Sequence, residues 1–152
     1  MQKVTTFLMF NDQSEAAMKF YSSIIPNCNI VSSMPGPDGR VAGGSFEIEG
    51  QRFSCYNAGD HPNFKFTQAI SLMIEANTQE EIDRLYDGLS EGGEKQQCGW
   101  VRDQFGVSWQ ITPRLLMENL SDPDRAKAGR VMNAMFKMHK IIIADLEAAA
   151  TE

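Results

Sequence analysis

The sequence repeats itself after about 64 residues, and this duplication limits the folds open to the chain more than any other feature. Three pairs of short segments recur in the same order: Phe7–Phe10 with Ser71–Ile74, Phe20–Tyr21 with Leu85–Tyr86, and Gly50–Ser54 with Gly106–Gln110. Short apolar segments often look alike by chance, but a series of matches in one order indicates a tandem repeat. The chain is therefore predicted to contain two copies of one half-domain.

The first copy has the pattern of a strand, a helix and three further strands. Strands are predicted where β-branched and aromatic residues cluster between turn signals, at Val4–Phe10, Cys28–Met34, Val41–Glu49 and Gln51–Asn57. Asp12 and Glu15 have the spacing of a capping box, which begins a helix. Apolar residues then follow the helical period, at Ala17, Phe20, Tyr21 and Ile24.

The second copy follows the same order. Its predicted strands are Ala69–Ala76, Gln96–Arg102 and Val107–Thr112. Thr78 and Glu81 form a second capping box, and Gly92-Gly93 ends the helix. Its buried face again has the helical period, with Ile82, Leu85, Tyr86 and Leu89.

The remaining residues differ from both copies. Ser121 is expected to cap one helix of about 20 residues or more, because apolar residues keep the helical period from Ala128 to Leu146. We expect a domain over residues 1–120, with repeat units at about 3–57 and 68–112, followed by a helical tail over 121–152. The apolar face of the tail packs either on the same domain or, being rich in methionine, on a partner subunit.

Composition and charge exclude several classes of protein. Hydrophobic residues make up 42% and charged residues 22%, as in ordinary globular domains rather than disordered chains. A net charge of -6 gives no attraction to nucleic acid or to an anionic membrane. No signal peptide or membrane span is seen, and three separated cysteines, Cys28, Cys55 and Cys98, suit a reducing compartment. We therefore expect a cytoplasmic protein with neither nucleic-acid nor membrane partners.

The common catalytic motifs are absent from the sequence. It contains no GxSxG, P-loop or HExxH motif. The glycines between Gly36 and Gly44 lie between two predicted strands, whereas a nucleotide-binding or S-adenosylmethionine-binding turn should lead from a strand into a helix. No cofactor is therefore predicted.

Two residues are weak catalytic candidates, Cys98 and His61. Cys98 would need a nearby cation or a helix N-terminus to become nucleophilic, and the simpler interpretation is a packed structural cysteine. His61 lies in a polar loop, where a surface role is the more common one, and His139 is interpreted as a surface or interface residue of the tail.

The sequence resembles the PhnB-like family, often labelled 3-demethylubiquinone 3-methyltransferase, of the glyoxalase/bleomycin-resistance/dioxygenase superfamily. The segments that carry the resemblance are Phe7–Asn11, Gly50–Phe53, Phe64–Ser71, Thr78–Glu81, Gly92–Gly93, Gln97–Trp100, Gly106–Gln110, Asp122–Asp124 and Val131–Met135. The resemblance implies an α+β fold in which two tandem βαβββ modules form a curved mixed sheet around a pocket. It also implies a homodimer.

The resemblance further implies where the superfamily's metal ligands would lie. The histidine positions of the first strands fall near Thr5 and Ala69, and the acid positions of the last strands fall near Ser54 and Gln110. None of these side chains is an imidazole or a carboxylate, so no metal is expected. As pocket residues we expect Thr5, Ser54, Phe66, Trp100 and Gln110, with Trp109 as a further aromatic surface.

Three functional hypotheses remain. The first is a metal-free protein that binds a small, partly apolar molecule. The second is an enzyme on a small metabolite: a metal-dependent lyase, isomerase or dioxygenase, an enzyme that uses Cys98 or His61, or the methyltransferase of the family label. The third is an interaction module that acts through the tail.

Overall fold

The computed structural model describes residues 2–152, and these form two compact units that meet in sequence at Lys65 and Phe66. Each unit contains one four-stranded mixed sheet and one helix between its first two strands. The predicted α+β fold with two βαβββ repeats is confirmed. Among the described residues no helix is both long and apolar enough to cross a bilayer.

The first unit consists of β1 (Thr6–Phe10), α1 (Ser14–Ile24), β2 (Cys28–Pro35), β3 (Val41–Ile48) and β4 (Gln51–Asn57). The strand order in the sheet is β1-β4-β3-β2. After β1, helix α1 carries the chain across one face of the sheet, and β2, β3 and β4 then follow as antiparallel neighbours. As a result, β4 runs parallel to β1.

Helix α1 covers one face of this sheet. Tyr21 is fully buried and its ring lies 5.7 Å from that of Phe46, which in turn stacks on Phe53 at 5.1 Å. Gly44 permits the close approach of the layers, since a Cβ atom there would lie 3.1 Å from Met18 Cε and 2.2 Å from the carbonyl oxygen of Ser32. The helix therefore rests directly on β3.

The second unit begins with β5 (Ser71–Glu75), α2 (Gln79–Ser90), β6 (Glu94–Lys95), β7 (Trp100–Arg102) and β8 (Ser108–Thr112). Its strand order, β5-β8-β7-β6, repeats that of the first sheet, again with the first and last strands parallel. The single strand predicted over Gln96–Arg102 is wrong in its first half. Cys98 and Gly99 adopt positive φ values of 61° and 81°, which interrupt the strand and form a turn between β6 and β7.

The two predicted capping boxes have different outcomes. Thr78 Oγ1 accepts a hydrogen bond from the backbone N–H of Glu81 at 3.1 Å, so the cap of α2 is confirmed. The cap assigned to Asp12 is wrong, because α1 begins at Ser14 with no side-chain bond from its N-cap residue. Instead, the N–H of Ser14 donates to Asn57 Oδ1 at 2.9 Å, so a side chain at the end of β4 supplies the missing acceptor.

The tail is two helices rather than one, and a further short helix precedes it. The short helix is α3 (Arg114–Leu120), the tail helices are α4 (Arg125–Phe136) and α5 (Ile143–Thr151), and Asp124 rather than Ser121 caps α4. Residues 137–142 leave the helical conformation, and in this segment the carbonyl oxygens of Met138 and His139 accept hydrogen bonds from the N–H groups of Cys98 and Gly99. A continuous helix would use those carbonyl groups internally, which explains the break.

The tail packs on the second unit. Five of its residues form a buried apolar cluster with Leu116 of α3: Val131, Met138, Ile141, Leu146 and Ala149. Gln79 at the start of α2 donates to the carbonyl oxygen of Ile141 and accepts from the N–H of Ile143, while Lys140 forms ion pairs with Asp83 and Asp87.

We expect Thr78→Ala to lower the free energy of unfolding by about 1 kcal/mol, because one N–H group of α2 then loses its acceptor. Asp12→Ala is the matched control and should change it by less than about 0.5 kcal/mol, since Asp12 makes no cap. Urea denaturation measures both. Equal losses in the two variants would contradict the assigned caps.

Candidate functional site

In the first sheet, the face opposite α1 carries the side chains that alternate with the buried ones. Ser54 is half-buried on β4 and pairs in register with Phe7 of β1 and Ser45 of β3. Its neighbours along the strand, Phe53 and Cys55, are buried on the helix side. Ser54 is thus a hydroxyl beside the exposed aromatic ring of Phe7.

The second sheet has an equivalent open face around Gln110. Gln110 pairs in register with Met73 of β5 and Trp100 of β7, and its Nε2 donates a hydrogen bond to Ser71 Oγ at 2.8 Å. Trp100 and Gln110 are both half-buried. An indole ring, an amide and a hydroxyl therefore lie side by side.

Trp109, in contrast, is not a pocket residue. Its side chain is fully buried, and its Nε1–H donates to Asp103 Oδ2 at 2.9 Å. Asp103 also accepts from the N–H groups of Phe105 and Val107, and so organises the turn between β7 and β8. The expectation that Trp109 offers a ligand-binding surface is wrong, because the period of β8 turns it to the helix side.

A cavity of about 450 Å³, widely open to solvent, lies in the second unit beside the turn between β6 and β7. Its lining consists of Gln68, the residues from Glu94 to Cys98, Trp100 and His139. The cavity brings together Trp100 and Cys98, two residues that the sequence had singled out, and adds His139 from the tail. The three glutamines of the lining, Gln68, Gln96 and Gln97, were missed; a polar pair directly before Cys98-Gly99 was the available signal.

Backbone hydrogen bonds hold this turn in place. The N–H of Gln96 donates to the carbonyl oxygen of Trp100 at 2.9 Å, and the N–H of Trp100 donates to that of Gln97 at 3.1 Å. The Tyr86 hydroxyl donates to the carbonyl oxygen of Gln96 at 2.5 Å. Cys98 keeps its left-handed backbone because the tail carbonyls fix its N–H and that of Gly99.

The charged residues at the cavity are paired. Lys95 lies 3.0 Å from Asp87, and Arg102 lies 2.8 Å from Glu94. Burial alone would raise the pKa of Asp87, but hydrogen bonds from Lys140 and Lys95 outweigh it and hold that pKa below its usual range. The lining therefore carries no uncompensated charge from these side chains.

Cys98 lacks the surroundings of a reactive thiol. Burial raises its pKa above the ordinary thiol value. Because the thiolate is the nucleophile, a raised pKa leaves less of the reactive form at neutral pH. The catalytic hypothesis for Cys98 therefore has no electrostatic support.

The other sequence candidates lie elsewhere. Thr5 is exposed just before β1, and His61 is exposed in a loop of the first unit, where its Nδ1 accepts from the N–H of Asn63 at 3.1 Å. Phe66 is half-buried, and a Cβ atom on Gly106 would lie 3.7 Å from it. None of these three residues lines the 450 Å³ cavity.

The superfamily's metal positions can be compared with the donors present. The residues predicted near the acid positions, Ser54 and Gln110, pair in the first strands with Phe7 and Met73 and not with the predicted Thr5 and Ala69. Across residues 2–152, no three His, Cys, Asp or Glu side chains come together as a metal-binding group. In each unit, one polar side chain beside an apolar one does not fit a divalent cation that needs imidazole and carboxylate ligands.

Comparison with known proteins gives a family match. The family described as 3-demethylubiquinone-9 3-methyltransferase matches residues 2–112. The PhnB protein from Bacillus cereus is 37% identical, with a TM-score of 0.68, and the match covers 74% of this chain and 99% of that one. No functionally curated protein matches the chain.

More distant solved structures share the fold alone. The fosfomycin resistance protein FosX from Listeria monocytogenes, in complex with Mn(II) and sulfate, is 17% identical with a TM-score of 0.58, and the match covers 80% of this chain and 100% of that one. A glyoxalase/bleomycin resistance protein from Albidiferax ferrireducens is 16% identical with a TM-score of 0.51, covering 74% and 100%.

Cys98 is expected to react with iodoacetamide at pH 7.5 more slowly than the cysteine of an unstructured peptide, because its pKa is raised. The rate should climb as the pH rises past the ordinary thiol pKa and the thiolate forms. Mass spectrometry of alkylated peptides measures the rate, with Cys98→Ser as the control for the site. A rate at pH 7.5 above that of the peptide would show an activated thiol.

Proposed function

The chain belongs to the 3-demethylubiquinone-9 3-methyltransferase (PhnB-like) family of the glyoxalase/bleomycin-resistance superfamily, and from this membership we propose that it binds a small, partly apolar molecule without a metal ion. One observation carries the proposal. Where a metal-dependent relative would need ligands, this chain has Gln110 bonded to Ser71 and flanked by Met73 and Trp100. Such a surface suits an organic ligand.

The same donor set separates this chain from a metal-dependent enzyme. FosX is seen with Mn(II), but its 17% identity transfers only the fold. In either unit a bound cation would have to rely on one weak donor, the hydroxyl of Ser54 or the amide oxygen of Gln110, without a carboxylate or an imidazole in register beside it. We therefore derive no catalytic step through a metal.

The family description names methyl transfer, but the glycine-rich stretch Gly36–Gly44 does not have the structure of a cofactor-binding turn. Gly43 and Gly44 lie in β3, and a Cβ atom on Gly43 would lie 2.4 Å from the carbonyl oxygen of Cys55. These glycines therefore allow strands to pack closely. They do not form the strand–loop–helix turn at which a nucleotide-like cofactor binds.

A ligand of this protein is expected to raise its melting temperature, and added Mn²⁺, Ni²⁺ or Zn²⁺ is not. At 100 times its Kd a ligand stabilises the fold by about 2.7 kcal/mol, or about 5–10 °C for a chain of this size. Thermal-shift assays against a broad panel of aromatic and aliphatic metabolites and antibiotics measure this effect.

Two further measurements complete that experiment: a thermal-shift assay with S-adenosylmethionine and elemental analysis of the purified protein. A shift with S-adenosylmethionine would favour the methyltransferase hypothesis. A stoichiometric transition metal in the purified protein would overturn the metal-free proposal, and a panel without any shift would remove the support for ligand binding.

We also propose that the protein is a cytoplasmic homodimer and that the tail supplies the dimer contact. Met132 and Phe136 are 36% and 55% exposed and lie one helical turn apart on α4, so they form a continuous apolar surface. Covering such a surface with a second copy removes it from water.

Phe136→Ser should shift the protein from dimer to monomer, because it places a hydroxyl in the centre of the proposed contact. Phe64→Ser is the matched control, since Phe64 is 44% exposed in a loop of the first unit. Light scattering after size-exclusion chromatography gives the molecular mass. A wild-type monomer, or a Phe136→Ser variant that stays dimeric, would contradict the proposed contact.

A further inference from the structure

We propose that the 450 Å³ cavity beside the turn between β6 and β7 is the ligand site, and that it takes an uncharged planar ring compound with a hydrogen-bonding edge, such as a phenol or an N-heteroaromatic. This inference rests on the proposed binding function and gives it a place and a ligand class; of the surface around Gln110, Trp100 is the residue that lines this cavity. The cavity volume lies within the ordinary range for small-molecule pockets, about 300–1,000 Å³.

Trp100 provides the surface for a planar ring. Trp100 is half-buried and lines the cavity. An indole that packs inside a core is fully enclosed, as Trp109 is in the same unit. Trp100 therefore leaves part of its aromatic surface to the cavity, where a flat ring can stack.

The polar edge of the ligand would meet amide and imidazole groups. Gln68 Nε2 donates to Gln96 Oε1 at 3.0 Å, which orients both amides at the cavity wall. The side chains of Gln97 and His139 also line the cavity. Amides and imidazole can each donate or accept a hydrogen bond, so they suit a hydroxyl or a ring nitrogen.

Charge pairing favours a neutral ligand over a strongly ionic one. The two charged residues of the lining, Glu94 and Lys95, already bind Arg102 and Asp87. A phosphate or a carboxylate would have to draw Lys95 away from Asp87 and would meet Glu94 in the same cavity. A neutral ligand disturbs neither ion pair.

The tail completes this cavity. Its non-helical segment donates His139 to the lining, and the carbonyl oxygens of Met138 and His139 hold the N–H groups of Cys98 and Gly99 at 2.9 and 2.7 Å. The Lys140 ion pairs with Asp83 and Asp87 fix the same segment on α2. The cavity is therefore preformed, and a ligand need not order this segment on binding.

Two probes of equal skeleton test the ligand class: 2-naphthol, which is planar, and trans-2-decalol, its saturated and non-planar analogue. We expect 2-naphthol to bind saturably and at least about tenfold more tightly, because only the flat ring stacks on Trp100. Proton–nitrogen NMR of the full chain gives two indole N–H signals. The Trp100 signal should move with 2-naphthol and that of the buried Trp109 should not.

Variants test the location. Trp100→Leu should weaken 2-naphthol binding about tenfold, and His139→Ala about threefold, by loss of stacking and of one hydrogen-bonding partner. His61→Ala is the matched control, since His61 does not line the cavity. His139 is exposed, so its variant remains informative even where Trp100→Leu lowers stability.

The outcomes separate this inference from the proposed function. Binding that both cavity variants leave unchanged, or equal binding of the two probes, overturns the assignment while ligand binding stands. A ligand from the thermal-shift panel without any 2-naphthol binding overturns it in the same way. Failure of both the probes and the panel overturns the assignment and the binding function together.

Discussion

The parallel pairing of the first and last strands of each repeat is the constraint on which the rest of the structure depends. β1 pairs with β4 and β5 with β8, so the helix that follows the first strand must cross one face of its own sheet. That face becomes the core, with Tyr21 and Phe46 in one unit and Trp109 in the other. The opposite face keeps its side chains available, and there Ser54 and Gln110 lie.

A second constraint acts where the repeat is least regular. The turn between β6 and β7 places Cys98 in a left-handed conformation that non-glycine residues seldom adopt. Two tail carbonyls compensate by accepting hydrogen bonds from Cys98 and Gly99, and the tail gives up helical hydrogen bonds to do so. The break between α4 and α5 and the cavity beside Trp100 are therefore two results of one set of contacts.

Local patterns predicted the features that depend on local chemistry. Apolar residues at every second position identified most strands, and apolar residues at the helical period of 3.6 identified both repeat helices. The Thr78 capping box was also predictable, because it lies within four consecutive residues. Features that depend on distant residues were not predictable in this way. Asn57 caps α1 from 43 residues away, and the break in the tail arises from residues about 40 positions earlier. The β6–β7 turn was not predicted because strand propensity depends on residue type and does not indicate that the backbone of Cys98 is left-handed.

The same distinction between local and distant contributions applies to the candidate site. The residue types at Ser54 and Gln110 could be judged from the sequence, since chemistry alone decides whether a side chain suits a metal. The neutrality of the cavity could not, because it depends on which carboxylate meets Lys95 and which cation meets Glu94. An overall charge of -6 suggests an acidic surface, yet these partners cancel the charges at the one place where the tail, the turn and Trp100 meet. Weak metal donors on the open sheet faces and paired charges in the cavity both favour recognition by shape and hydrogen bonds over recognition by charge.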